Sequence, residues 1–297
     1  EANGFTTIDE RRREYMVGQK HYKEVIYHII VFLGALIMIY PLLWMVLSSF
    51  KPTETVLPTA ASLIPSTWTL ENYIQGWKGF MGYTFGTFFL NSFIIALSST
   101  FGTLMSSAFV AYALQRLKFK LRGLFFVLVL STMMLPAQIL MIPQFMWYRH
   151  LNWVGTYYPM ILPYFFAIQG FFVYLIMNFI GGIPKTLDEA AKIDGCSYYG
   201  IFFRIILPLS GAALATITLF YAVGNWSAWY NAMVYLQKRR DLYPLQLYLR
   251  ELLILDKNTD SFMNALSGTS ANSYLMKEIM KYCTIIVSTV PVLLIYP

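Results

Sequence analysis

The chain has 297 residues, of which 57% are hydrophobic and 12% charged, and its formal net charge is +7. An average soluble domain carries roughly 25% charged residues. The deficit, with a positive mean hydropathy, excludes a water-soluble protein of this length and leaves an all-α integral membrane protein with one membrane domain. In such a chain a basic excess orients the spans, so nucleic acid is not an expected partner. Aromatics at 18% suit Trp and Tyr anchors at both membrane interfaces.

In chain order, residues 1–24 form a polar arm with Arg11, Arg12, Arg13, Lys20 and Lys23. The first residue is Glu1, not Met, so the printed start is not expected to be the natural one. No cleavable signal-peptide pattern precedes the first apolar run. A membrane-spanning helix needs about 20 mostly apolar residues. Six segments qualify, at about 25–50, 85–114, 124–147, 158–180, 209–234 and 282–297, the last barely long enough. Pro136 and Pro143 predict a kink or break in the third, because proline removes a backbone donor and clashes with the preceding turn. Kinked segments near the midplane often mark transport routes, although a kink also serves packing alone.

Basic residues set the orientation. The N-terminal arm, the short second connection (Arg116, Lys118, Lys120, Arg122) and the fourth (Lys185, Lys192, Arg204) belong on the cytoplasmic side. Both chain ends then lie in the cytoplasm, and Cys196 and Cys283 fall on opposite sides and cannot pair. The last outer loop, 235–281, breaks the trend with Lys238, Arg239, Arg240, Arg250, Lys257, Lys277 and Lys281, interleaved with acidic residues. Apolar spacing predicts a helix over 245–255, followed by a polar, mobile segment at 256–273. The first outer loop, 51–84, with Pro52, Pro58, Pro65 and Trp68, is expected to fold over the membrane surface.

The polar connection at about 181–208 is the most informative stretch. Gly181 and Gly182 end the fourth span. Thr186 and Glu189 have capping-box spacing, which predicts a helix start. Asp188 and Glu189 fall in the first turn, where the helix dipole favours negative charge. Gly195 is placed for a left-handed stop. A second helix is expected from Ser197 towards Leu207, with Pro208 marking the passage into the fifth span. A short rigid helix of this kind can dock into a partner's cleft, with Ala190 and Ala191 allowing close approach. The plain alternative is an amphipathic loop helix lying on the membrane surface.

Glu189-Ala190-Ala191, three residues, Gly195, nine residues, then Ile205-x-Leu207-Pro208 fills every fixed position of a known pattern. It resembles the cytoplasmic coupling loop of permease subunits in bacterial ABC importers. Residues 219–232 and 241–247 are similar to the fifth span and following segment of carbohydrate-type permeases, closest to the branch for oligosaccharides and polysaccharide fragments. The similarity runs from the first span onward. It implies the type I importer fold: six spans, with a cytoplasmic coupling helix between the fourth and fifth. Glu189, Ala190, Ala191, Asp194 and Gly195 would form the coupling helix and its turn, and Ile205, Leu207 and Pro208 its link to the fifth span. The implied partners are a second, different permease subunit, two ATPase subunits holding ATP and Mg, and an extracytoplasmic solute-binding protein, in the lipid of the cytoplasmic (inner) membrane. No cofactor is implied on this chain. Members continue past the sixth span into a short glycine-containing cytoplasmic tail, whereas this sequence ends at Tyr296-Pro297, so a truncated tail is the expectation.

The predicted spans hold no Asp, Glu, Lys or Arg well inside their apolar runs, where such residues would suggest an ion pathway. They hold amides and aromatics instead: Gln138 and Gln144, Gln169, and Asn225, Trp226, Trp229, Tyr230 and Asn231. Aromatic faces stack on pyranose rings and amides bond hydroxyls without fixed charge, so Gln138, Asn225, Trp226, Trp229, Tyr230 and Asn231 are the candidates for a substrate path. Taken singly, each is also an ordinary interface anchor or a helix-packing amide. No G-x-x-x-x-G-K-[ST] loop occurs, and His21, His28 and His150 lack metal-ligand spacing. The expected role is thus the non-enzymatic permease of an ATP-driven oligosaccharide importer, with an acidic sugar such as an alginate fragment suiting the basic last outer loop. A membrane scaffold and an ion-coupled secondary transporter stand as alternatives.

Overall fold

The computed structural model describes residues 3–56, 58–59, 61–78, 83–254 and 270–295, and among these the regular structure is helical. Thirteen helices are numbered here: α1 Asn3–Ser48, α2 Glu71–Lys78, α3 Phe85–Arg116, α4 Arg122–Met134, α5 Ala137–His150, α6 Tyr158–Ile161, α7 Gly170–Gly182, α8 Thr186–Ile193, α9 Tyr198–Leu209, α10 Gly211–Ser227, α11 Tyr230–Leu236, α12 Leu245–Ile254 and α13 Ser270–Ile295. Three stretches are long and apolar enough to cross a membrane (Lys23–Ser48, Phe85–Arg116 and Tyr158–Gly182), or up to five when two bent pairs are each taken as one span. The last apolar helix, Ile279–Leu294, is shorter. The whole of α13 is 26 residues, so it starts well before the expected 282. The helix predicted at 245–255 is α12; the polar segment beyond it falls largely outside the described residues.

The bent pairs have local causes. Leu135 takes an extended conformation ahead of Pro136, as a residue before proline must, and α4 and α5 meet there at an angle of more than 40°. At Pro143, the other position expected to kink or break, α5 continues without a break. The fourth segment is irregular where a continuous helix was expected. A 3-10 turn over Leu162–Phe166 and a left-handed Ala167 (φ 53°) separate α6 from α7. The fifth divides at Ala228, which is extended, into α10 and α11.

The chain forms two compact units. The first comprises Glu1–Asn72 and Ser267–Cys283. In α1 the side chains from Lys23 to Leu43 are exposed, including Ile37 and Met38. A helix apolar all round and unburied by its own chain is one that a bilayer or another subunit covers. Beyond α1 the loop is fixed by polar groups. The buried Lys51 ammonium donates to the carbonyls of Thr59 (2.9 Å) and Ser62 (2.6 Å), and Asn72 Nδ2 donates to those of Ser49 (2.9 Å) and Lys51 (2.8 Å). Charged hydrogen bonds each contribute about 1.5–3 kcal/mol. Lys51→Ala is therefore expected to lower the melting temperature in detergent and to speed proteolysis of the 51–70 loop.

The second unit comprises Tyr73–Leu266 and Thr284–Pro297, with α3 as its central rod. The first half of α3 packs with α11, α12 and α13 around Phe88, Leu236, Leu245 and Tyr248. Asn91 donates to the carbonyls of Asp241 and Tyr243, and Ser92 accepts from the Leu245 N–H, pinning the 241–245 segment to α3. The second half of α3 packs with α7, α8 and α9 around Ala111, Val173, Ile176, Ile180, Ile201 and Ile206. One helix thus supports both ends of the unit. Two glycines permit close approaches: a Cβ on Gly102 would meet the Phe165 ring at 2.6 Å, and one on Gly170 would meet Thr132 Oγ1 at 2.6 Å and the Val129 carbonyl at 2.8 Å.

Candidate functional site

The polar connection folds as a helix, a tight turn and a second helix. The start of α8 departs from the capping-box expectation. Thr186 is the first helical residue, Lys185 occupies the cap position in helical conformation, and no side chain caps the end. The N–H groups of Asp188 and Glu189 instead bond the Lys185 carbonyl, at 3.0 and 3.1 Å. The chain enters already wound after Pro184, so a Thr186 cap in extended conformation is not available.

The other end of α8 agrees with the sequence. Gly195 has φ +79°, a region that L side chains disfavour. The Cys196 N–H bonds the Ala191 carbonyl at 2.9 Å, and the Gly195 N–H bonds that of Lys192 at 3.1 Å. These are the two bonds of a Schellman stop. The second helix begins where expected, with Ser197 Oγ accepting from the Gly200 N–H at 3.2 Å. Its middle, Phe202–Ile206, is wound as a π-helix, a form often found at functional positions. Pro208 lacks the N–H that would continue the ladder. The chain then turns by 74° into α10, at Ser210.

Burial divides the loop into two faces. Asp188 and Ala191, one turn apart, are buried, whereas Glu189, Ala190, Ile193, Asp194 and Gly195 are exposed. Ile205 and Leu207 are half-buried against the α3–α7 cluster, and Pro208 is exposed. The Lys192 ammonium lies 5.0 Å from the centre of the Tyr198 ring, bridging α8 and α9. An apolar groove of about 450 Å³, lined by residues such as Phe109, Leu117, Tyr198 and Tyr199, opens beside the loop.

Two groups carry weight that the sequence did not reveal. Arg116, at the end of α3, was expected only to orient the chain. Its Nη2 donates to the carbonyls of Ile180 (2.8 Å) and Ile183 (2.6 Å), and its Nε lies 3.4 Å from Asp188 Oδ2. The two side chains are 4% and 11% exposed. No local spacing links residues so far apart in the chain.

The path candidates separate in space. Asn225 donates to Ser99 Oγ at 2.8 Å. With Asn231 and Tyr164 it lines a small, partly open pocket of about 20 Å³, room for about one water. The buried Tyr221 hydroxyl, next to Thr103, Gln169 and Asn225, extends this polar strip. Trp226 points into the core: its Nε1–H donates to the Ser288 carbonyl at 3.0 Å, and Phe89 and Phe93 meet its ring edge-on. Trp229 is half-buried under the Arg250 guanidinium, 4.4 Å from its ring centre. Tyr230 and Gln138 are exposed. In the 235–254 segment, Arg239 donates twice to Asp241, at 3.0 and 2.8 Å, and holds that carboxyl below the usual carboxylate range. Burial pushes Glu251 up against the pull of Arg240 and Arg250.

Comparison with known proteins agrees with this geometry. The sequence profile of the family described as the binding-protein-dependent transport system inner membrane component matches residues 103–230, which include the whole α8–α9 unit. The polygalacturonan/rhamnogalacturonan transport system permease protein YtcP of Bacillus subtilis is 35% identical over 268 residues, 89% of this chain and 88% of that protein. The arabinooligosaccharides transport system permease protein AraQ of Halalkalibacterium halodurans is 38% identical over 221 residues, 74% of this chain and 77% of that one. A chain in the crystal structure of a bacterial ABC transporter involved in the import of the acidic polysaccharide alginate superposes with a TM-score of 0.80 at 27% identity, over 92% of this chain and 93% of that chain. The chain thus belongs to the binding-protein-dependent transport system inner membrane components: it is a multi-pass, non-catalytic permease subunit of an ABC transporter, a role that implies binding-protein and ATPase partners.

Proposed function

We propose that this chain is one of two different permease subunits of an ATP-driven importer that carries an oligosaccharide across the cytoplasmic membrane by alternating access. The observation that carries this reading is the α8–α9 unit. It is a short helix closed by a left-handed glycine, anchored on its inner face and exposed along Glu189, Ala190, Ile193 and Asp194. That exposed face is the part offered to an ATPase cleft. Six spans follow if α4–α5 and α9–α10 each count as one and α13 crosses, with both chain ends and α8 in the cytoplasm.

Two ATPase subunits bind ATP and Mg and draw together. Their movement carries α8 with it, and α9 passes the displacement through Pro208 and the bend at Ser210 into α10. The pocket beside Asn225 and Asn231 has room for about one water, far less than a sugar ring, so a sugar does not fit there in this conformation. Opening it requires α10 to shift from α3 and break the Asn225–Ser99 bond. Trp229, Tyr230, Gln138 and the freed amides would then meet sugar rings and hydroxyls, while Trp226 holds α10 to α13.

The carbohydrate assignment draws support from the relatives, whose names specify polygalacturonan, rhamnogalacturonan and arabinooligosaccharides. The alginate importer and the basic residues of the last outer loop favour an acidic sugar. The test is ATP hydrolysis by the importer reconstituted in lipid, with its binding protein loaded in turn with alginate, pectic, arabinan and neutral oligosaccharides. Stimulation by one class names the substrate. Hydrolysis indifferent to every loaded binding protein, with all subunits present, overturns the importer reading.

A further inference from the structure

We infer that Arg116 and Asp188 form a clamp that makes α8 move as one body with the ends of α3 and α7, so that coupling reaches those two spans directly as well as α10 through the chain. The inference rests on reading α8 as the coupling helix.

The geometry is specific to a joint between three elements. Arg116 is the last residue of α3, Ile180 belongs to the last turn of α7, Ile183 follows it, and Asp188 lies in the first turn of α8. One guanidinium binds the two carbonyls through Nη2 and faces the carboxylate through Nε. The charges are complementary throughout. The carbonyl end of α7 carries partial negative charge, which a cation stabilises, and the amino end of α8 favours an anion. Asp188 and Arg116 thus balance each other's charge, and each complements the helix end it faces. Nearby, the Tyr112 hydroxyl of α3 donates to the Tyr198 carbonyl at 3.3 Å, a second polar link from α3 to this loop.

Burial turns this arrangement into a mechanical joint. Separating an ion pair inside a protein leaves an uncompensated charge away from water, which is strongly unfavourable. When a partner displaces α8, breaking the clamp therefore costs more than moving α3 and α7 along with it. Packing reinforces this, since Ala191 on the same face of α8 sits in the cluster built by Ala108, Ala111, Ile176 and Ile180. Among the described residues, Arg116 Nε and Nη1 and Asp188 Oδ1 are buried without a hydrogen-bond partner, so the pair is held by charge attraction at 3.4 Å and not by a hydrogen bond. The guanidinium is thus held by few contacts, and loss of the carboxylate removes its counter-charge entirely.

The test reads relative movement. In the importer assembled with its companion permease and ATPases in lipid, labels placed at Lys118→Cys and Thr186→Cys, both exposed and outside the face offered to the ATPase, report the separation of the α3 end from α8. The natural cysteines are replaced by Ser. Without nucleotide and with Mg-ATP on hydrolysis-deficient ATPases, the clamped protein is expected to give one narrow distance distribution that does not change. Asp188→Asn and Arg116→Lys are expected to broaden it and make it respond to Mg-ATP, whereas Asp188→Glu keeps it narrow. Wild-type distributions in both disabling variants, or failure of both to assemble, overturn the clamp, the latter because the pair would then serve the fold alone. Failure of the coupling-helix reading shows elsewhere, as a Gly195→Asp importer whose hydrolysis still responds fully to loaded binding protein.

Discussion

Replacing Gly195 with Asp is expected to abolish most of the stimulation of ATP hydrolysis by sugar-loaded binding protein, while Gly195→Ala retains part of it. The backbone at Gly195 is left-handed, and a side chain there costs roughly 1–2 kcal/mol. A Cβ at this position meets nothing within 4 Å, so Ala reports that conformational strain by itself. Asp tolerates the left-handed region better than Ala, and its larger expected effect must come from placing charge and bulk on the exposed face beside Asp194. Asn, nearly the same size and uncharged, separates the two contributions. The measurement is the ratio of stimulated to basal hydrolysis in reconstituted importer for the three variants. Equal ratios in Ala and Asp would show that the turn needs only its backbone shape and that no partner reads its surface.

Gly170→Ala is expected to lower the stability of the chain by about 1–3 kcal/mol, the usual range for forcing a methyl group into a packed interface. The added Cβ would lie 2.8 Å from the Val129 carbonyl, a backbone atom that cannot rotate aside, as well as 2.6 Å from Thr132 Oγ1. Relief requires α7 to move away from α4. Because α7 carries the Ile180 carbonyl held by Arg116, the disturbance should reach the α8–α9 connection. Gly182, in the same helix, has open space around its position and serves as the control. Thermal unfolding of the purified chain in detergent, monitored by size-exclusion fluorescence, should separate the two variants; equal melting temperatures would mean that the α4–α7 contact is loose.

Local signals explain what could be read directly. The turn at Gly195 was legible because a left-handed stop depends on one residue and its immediate neighbours. The break at Pro136 was legible for the same reason, and so was α12, whose apolar spacing lies within a single helix. At three other positions the local backbone differed from what residue type suggests. Thr186 and Glu189 have capping-box spacing, but the chain arriving from Pro184 is already helical, and the cap does not form. Of the kink or break expected at Pro143, the break is absent, since the helix continues through it. The left-handed residue in the fourth segment is Ala167, a residue type that announces no such turn.

The sequence by itself determined the class of molecule, the approximate positions of its apolar segments and the position of the polar α8–α9 connection. These follow from composition, from runs of about 20 apolar residues and from a pattern confined to one stretch of chain. Tertiary structure alone decided which side chains act together. Asn225 meets Ser99, Trp226 reaches the Ser288 carbonyl, and Arg116 faces Asp188, each pair brought together from distant parts of the chain. Trp226 and Trp229 are both tryptophans of one short stretch, yet one is a buried strut and the other lies half-buried under a guanidinium. Helical periodicity gives the face on which a residue sits, but only the packed neighbours determine whether that face meets lipid, another helix or a path for substrate.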